Sequence, residues 1–137
     1  MKRKVYFVGV HNKPGLKPLD SSTKSGKLID RVIEQLPEFE CVKMNYYDCD
    51  YLPNRQLDQD YHHQNQNILL DKFDDNIIVV ALGKMVQELL FPIGIPVYHP
   101  AIIWSKEAQI SYIKDLVYEI TTTHIIKNNQ EHPPHDR

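Results

Sequence analysis

Cysteine is scarce. The chain of 137 residues holds two, Cys41 and Cys49. Two cysteines cannot build a disulfide framework, and they read as reduced thiols in a cytoplasmic, intracellular setting. Long hydrophobic runs are also missing. No stretch approaches the roughly 20 apolar residues of a membrane span, so no membrane partner is expected. Met1-Lys2-Arg3-Lys4 is basic, but the apolar run behind it is only strand-long. That pattern does not suit a signal peptide. Charge of one sign is not in excess: 16 Lys and Arg stand against 18 Asp and Glu, a net charge of −2. This balance argues against bulk, sequence-blind nucleic-acid binding. It leaves room for a local basic groove, because clustering matters more than the total. There is no internal repeat. The length suits one domain, expected over residues 1–126, in a monomer or small oligomer, with the monomer favoured. The remaining segment 127–137, "KNNQEHPPHDR", reads as a disordered tail.

What is present is an alternation of two patterns. Val5-Tyr6-Phe7-Val8-Gly9-Val10 is a continuous apolar run that suits a strand buried on both faces. A loop with Pro14, Gly15 and Pro18 follows over 11–24. Leu28, Ile29, Val32, Ile33 and Leu36 then recur at helical spacing, and Pro37 stops the helix. Residues 40–47, "ECVKMNYY", read as a second strand. Residues 48–66 are polar, amide-rich and without a period. Loops of that length in compact domains are functional or disordered. A short helix is expected over 67–73. "NIIVVALG", residues 76–83, is the clearest buried strand, and a short helix with Met85, Val86, Leu89 and Leu90 runs up to Pro92. A fourth strand is expected at Val97-Tyr98. A last helix begins near Ser105, with Ile113, Leu116, Val117 and Ile120 on one face. The order β-α-β-α-β-α-β-α predicts a three-layer α/β/α fold around a four-stranded, mostly parallel sheet.

Each predicted strand ends in a polar group. The first is followed by His11, Asn12 and Lys13, the second by Asn45 and later Asn54-Arg55, the third by Gly83-Lys84, and the fourth by His99-Pro100. Open α/β sheets bind ligands outside the carboxyl ends of their strands. Four such loops on one rim make a candidate site. Each feature also has a plain structural use. His99 before proline suits a surface turn, Asn45 suits local backbone bonding, and Arg55 suits a solvated charge. Gly83-Lys84 lacks the glycines and the Ser/Thr of a phosphate-binding P-loop. His62-His63 are adjacent and lack helical ligand spacing, and His132 and His135 sit in a proline-containing tail. No metal site is expected.

In combination, these segments resemble the uracil-DNA glycosylase superfamily. "GVHNKPG" resembles its water-activating loop, GxNPG or GxxPG. "SGKLIDRVI" resembles the AGxLL helix start. "MNYYDCDYLPNR" is similar to the TNxxxCxxPxNR segment of the iron–sulfur branch. "VVALGK" and "YHPA" resemble the IxALGxxA and HPS motifs. The resemblance covers residues 5–120 and implies excision of uracil or another altered base, flipped out of DNA, by cleavage of its N-glycosidic bond. It implies a hydrogen bond from His99 to the base carbonyl oxygen as charge develops there. Asn45 would read the base edge with its amide, and Tyr46, Tyr47 or Tyr98 would be the candidates to stack on the base. Asn12 would position the water, and an unprotonated His11 could act as its base. Lys13, Gly15, Arg55, Gly83, Lys84 and Ala101 would lie along the DNA phosphates or groove. Ile102, Ile103 or Trp104 would wedge into the base stack. The same three residues also suit core packing at the start of the last helix.

The chain departs from the family pattern at named positions. Lys13 stands between Asn12 and Pro14, where the motif has no residue. "LDSSTKSG" contains no aromatic where the family stacks one under the base. Ala101 replaces the usual serine. Only Cys49 matches an iron–sulfur ligand, so no cluster and no other cofactor is expected. Three other readings follow. The pocket could take a free nucleoside or a bulkier base. The chain could be a catalytically degenerate member that binds nucleic acid, a nucleotide or a protein partner. The β-α alternation alone also suits a flavodoxin-like nucleotide-binding domain.

Overall fold

The structure, a computed structural model, describes residues 2–10, 15–46 and 73–131. His11, Asn12, Lys13, Arg55, Cys49, the 48–66 segment and nearly all of the expected 67–73 helix lie outside the described residues. The elements are β1 (Arg3–Gly9), α1 (Lys24–Glu34), β2 (Phe39–Asn45), β3 (Ile78–Leu82), α2 (Lys84–Leu90), β4 (Ile95–Val97), a 3-10 turn (Pro100–Ile102) and α3 (Lys106–Glu131).

The strands form one sheet in the order β2-β1-β3-β4, with every neighbouring pair parallel. Parallel strands need crossovers, and crossovers cover both faces. Strand alternation builds a separate core on each face. Val5 and Phe7 of β1, with Ile78, Val80 and Leu82 of β3, point to one side. There they meet Leu28, Ile29 and Val32 of α1, with Ile113, Leu116 and Ile120 of α3. Val8, Val79 and Ala81 point to the other side, against Val86 and Leu90 of α2. The result is the three-layer α/β/α arrangement that the alternating pattern predicts.

β1 and β3 are neighbours at the centre of the sheet. The chain leaves β1 outward through α1 to β2, and leaves β3 in the opposite direction through α2 to β4. Right-handed crossovers then place α1 and α2 on opposite faces. The carboxyl ends of β1 and β3 flank a topological switch point, where such sheets open a crevice. β4 occupies an edge, which is where a strand tolerates Pro96. It covers residues 95–97 rather than the expected Val97-Tyr98, and Tyr98 projects into solvent.

Gly26 ties the loop before α1 to that helix. A Cβ at this position would meet the Asp20 carbonyl oxygen at 1.9 Å and the Leu19 carbonyl oxygen at 2.4 Å. Thr23 caps α1: its Oγ1 accepts from the Gly26 N–H at 3.0 Å and donates to the Asp20 carbonyl at 2.7 Å. From β2, Lys43 reaches the same loop. Its Nζ donates to the Leu19 carbonyl at 2.8 Å and pairs with Asp30. Burial disfavours the Asp30 charge, but the Lys43 and Ser21 hydrogen bonds overcome this and hold the carboxyl below its ordinary range.

At the opposite end of the sheet, Arg3 is only 7 % exposed. Its guanidinium donates to His124 Nδ1 at 2.9 Å, the Asn76 carbonyl at 2.8 Å and Asn128 Oδ1 at 2.8 Å. Lys127 Nζ donates to the Asp75 carbonyl at 2.7 Å. These contacts correct one expectation. Residues 127–131, assigned from sequence to the tail, continue α3. Their polar side chains look like tail composition, but Asn128 and Lys127 are anchored to the first and third strands' amino ends. Residues 132–137, with His132 and His135, lie outside the described residues. No helix among the described residues is long and apolar enough to cross a membrane.

Arg3→Ala should lower the unfolding free energy by about 3 kcal/mol in denaturant melts, because three part-buried acceptors lose the donor that a buried guanidinium supplies. Gly26→Ala tests the loop contact by its sign. In an ordinary helix interior this change stabilises by about 1 kcal/mol; here the melts should show a loss.

Candidate functional site

A cleft of about 440 Å3 opens at the carboxyl ends of the strands. Gly9 and Val10 close β1, Asn45 closes β2, and His99 and Ala101 follow β4. The 16–25 segment forms the facing wall, through Leu16, Leu19, Lys24 and their neighbours. Asn45 and His99 come from opposite edges of the sheet, yet they line the same space.

Two glycines make room for these two side chains. A Cβ on Gly9 would lie 2.8 Å from Asn45 Oδ1. A Cβ on Gly83 would lie 3.2 Å from His99 Cβ, and Gly83 has a φ of +94°, which also favours glycine. Gly83 therefore sits beneath the His99 ring, a role distinct from direct phosphate contact.

The segment bearing His99 is fastened at several points. The Gly83 N–H and Gln87 Nε2 both donate to the Val97 carbonyl, each at 2.9 Å. Tyr112 Oη donates to the Tyr98 carbonyl at 2.7 Å, and burial pushes its phenol pKa far up, so it stays a donor. His99 itself caps the 3-10 turn: its Nδ1 accepts from the Ala101 N–H at 3.0 Å. A backbone N–H can only donate, so Nδ1 must hold a lone pair. In the neutral ring the proton is then on Nε2. Burial lowers the His99 pKa from its ordinary 6.5, which favours that neutral form. Among the described residues, Nε2 has no hydrogen-bond partner. The imidazole is a held, uncharged donor.

The facing wall carries Lys17, Asp20, Thr23, Lys24 and Ser25, which were not singled out from sequence. Asp20 is turned inward on its own loop, accepting from the Ser22 N–H at 2.9 Å and the Lys17 N–H at 3.2 Å. These bonds hold its carboxyl below the ordinary range, the Ser22 contact first. The Asp-Ser-Ser-Thr run ahead of an amphipathic helix is a capping signal that marks this wall.

Other expected site residues fall elsewhere. Tyr46 is 2 % exposed and packs in the α2-side core, so it does not line the cleft. Residues 45 and 46 point to opposite faces, and only Asn45 faces the cleft. Lys84 lines a separate shallow depression with Gln87, Glu88 and Phe91. Gly15 is exposed with φ +78° and is not part of the cleft lining. Ile103 packs against the α1-side core, whereas Ile102 and Trp104 are exposed. Cys41 is half-buried, and burial raises its thiol pKa to about 11, so it is a poor nucleophile and metal ligand at neutral pH. No group of three or more His, Cys, Asp or Glu among the described residues could hold a metal ion.

No family model, curated protein or solved structure matches the chain.

Nitrogen-15 NMR of the imidazole should show the Nε2–H tautomer at neutral pH and a midpoint below 6.5 for His99. The unfolded chain takes up the proton first, so His99 weakens the fold as pH falls below 6.5, until the folded form also protonates. His99→Gln should flatten this part of the stability profile.

Proposed function

We propose that the cleft binds a nucleobase and that the protein is a uracil-DNA glycosylase-like hydrolase, cleaving the N-glycosidic bond of uracil or another altered base in DNA. The observation that carries this reading is the Nε2–H of a neutral His99, held by the Ala101 N–H on Nδ1, in the same cleft as the Asn45 amide.

In this reaction water attacks the sugar carbon and the carbon–nitrogen bond breaks. The bonding electrons leave with the base, and charge spreads onto its carbonyl oxygen. A neutral donor aimed at that oxygen gains strength as the charge grows, the differential interaction that catalysis requires. The water's proton ends on the departing base or in solvent. Asn45 offers one donor and one acceptor, the complement of an imide edge. Its pairing with a wrong base would leave a polar group unsatisfied, which provides selectivity. Water handling falls to Asn12 or His11, outside the described residues. Ala101 contributes a backbone N–H that is already committed to His99.

A second reading, a degenerate family member that binds without cleaving, is favoured by one feature. The described cleft lining holds no Phe, Tyr or Trp to stack on a base. The two readings separate in single-turnover assays with excess protein on oligonucleotides containing uracil, hypoxanthine or hydroxymethyluracil. The hydrolase reading expects abasic product from at least one. His99→Ala should then lower the chemical rate by about 100-fold or more, with oligonucleotide affinity changed far less. Binding without abasic product from any substrate would favour the degenerate reading.

A further inference from the structure

Trp104 is the chain's only tryptophan, and it is 76 % exposed. The indole is nevertheless held in place. Its Nε1–H donates to the Ala101 carbonyl at 2.7 Å. Lys24 Nζ lies over the ring, 5.6 Å from its centroid. Lys24 and Ala101 both line the cleft. The indole therefore stands at the cleft mouth, one edge tied down and most of its surface in water.

A wedge has to leave the protein surface and enter a base stack. An indole whose edge is bonded to its own loop lies along that loop instead. A fixed π-face beside an ammonium group suits a ligand that combines a flat aromatic face with negative charge. Lys17 and Lys24 are the cations of the described cleft lining. Asp20, the acidic residue there, already accepts from two backbone N–H groups. Ordering such a platform loses little entropy, because the ring is already placed.

We propose that Trp104 and Lys24 form a stacking clasp for single-stranded nucleic acid. An unpaired base next to the one in the cleft stacks on the indole, and Lys24 meets its phosphate. This rests on the base-binding reading of the cleft and adds a substrate class. A duplex hides its base faces, so the clasp selects the single strand.

Because Trp104 is the sole tryptophan, intrinsic fluorescence reports this position alone. The full chain is titrated with single-stranded oligothymidylate, with the same strand annealed to its complement, and with a base-free strand of equal length. The clasp expects saturable quenching by the single strand and roughly tenfold weaker binding of the other two. By anisotropy of a labelled strand, Trp104→Phe keeps the affinity within about threefold, and Trp104→Leu loses roughly tenfold. Lys24→Gln lowers the salt slope by about one counterion. A wedge reverses the pattern: leucine serves as well as tryptophan, and duplex binds best. Absent quenching at saturation, equal affinity of the Phe and Leu variants, or equal binding of the base-free strand would overturn the clasp. Base excision is scored separately. Stacking without excision supports the clasp and removes only the hydrolase reading. Excision with full affinity in Trp104→Leu removes only the clasp.

Discussion

A single backbone N–H, that of Ala101, decides what His99 can do. It donates to Nδ1 and so leaves Nε2 as the ring's proton-bearing nitrogen. That bond requires the 3-10 turn to start at His99, which in turn requires β4 to end where it does. The end of β4 is held by two donors on the Val97 carbonyl, one from Gly83 and one from Gln87. Tyr112 fixes the next carbonyl from α3. Elements from both faces of the sheet thus converge on the orientation of one imidazole. Its burial then keeps it neutral, because the cleft wall desolvates the charged form.

The opposite wall depends on a different kind of constraint. The 16–25 segment lies against α1 because Gly26 has no Cβ to keep Asp20 away. Lys43 pulls the same segment toward β2, using one ammonium to hold a carbonyl and a carboxylate. The two lysines of this wall gain a basic local field in a chain of net charge −2. Composition measured over the whole chain averages such a patch away. The same wall supplies no aromatic, and Trp104 stands outside it at the mouth. The proposed function and the proposed clasp both grow from that division between a cleft lining without aromatics and the tryptophan at its mouth.

Strands and helices were legible wherever one physical pattern dominated. The runs at 5–10 and 76–83 are apolar because both sheet faces are covered, and Leu28, Ile29 and Val32 repeat because α1 buries one stripe. Asn45 and His99 were legible as residues at strand ends, and the parallel order brings those ends together. Tyr46 lies apart from the cleft because alternation sends it to the other core, while its neighbour Asn45 faces the cleft. The end of α3 was missed because its last turns are polar. Its anchors come from Arg3, 121 positions away from His124, and no local pattern encodes a contact of that separation. Lys17, Lys24 and the Gly26 contact escaped for the same reason: their meaning depends on how a loop folds back.

Base binding requires that a base occupy the space between Asn45 and His99. Free uracil, titrated into isotope-labelled protein and followed by NMR, measures this directly. With a base in this cleft, the Asn45 side-chain amide and the His99 ring resonances shift together, saturably and with one dissociation constant, while Lys84 on its separate depression stays still. Shifts that miss both residues, or that gather around Lys84 and Phe91 instead, would contradict base binding there.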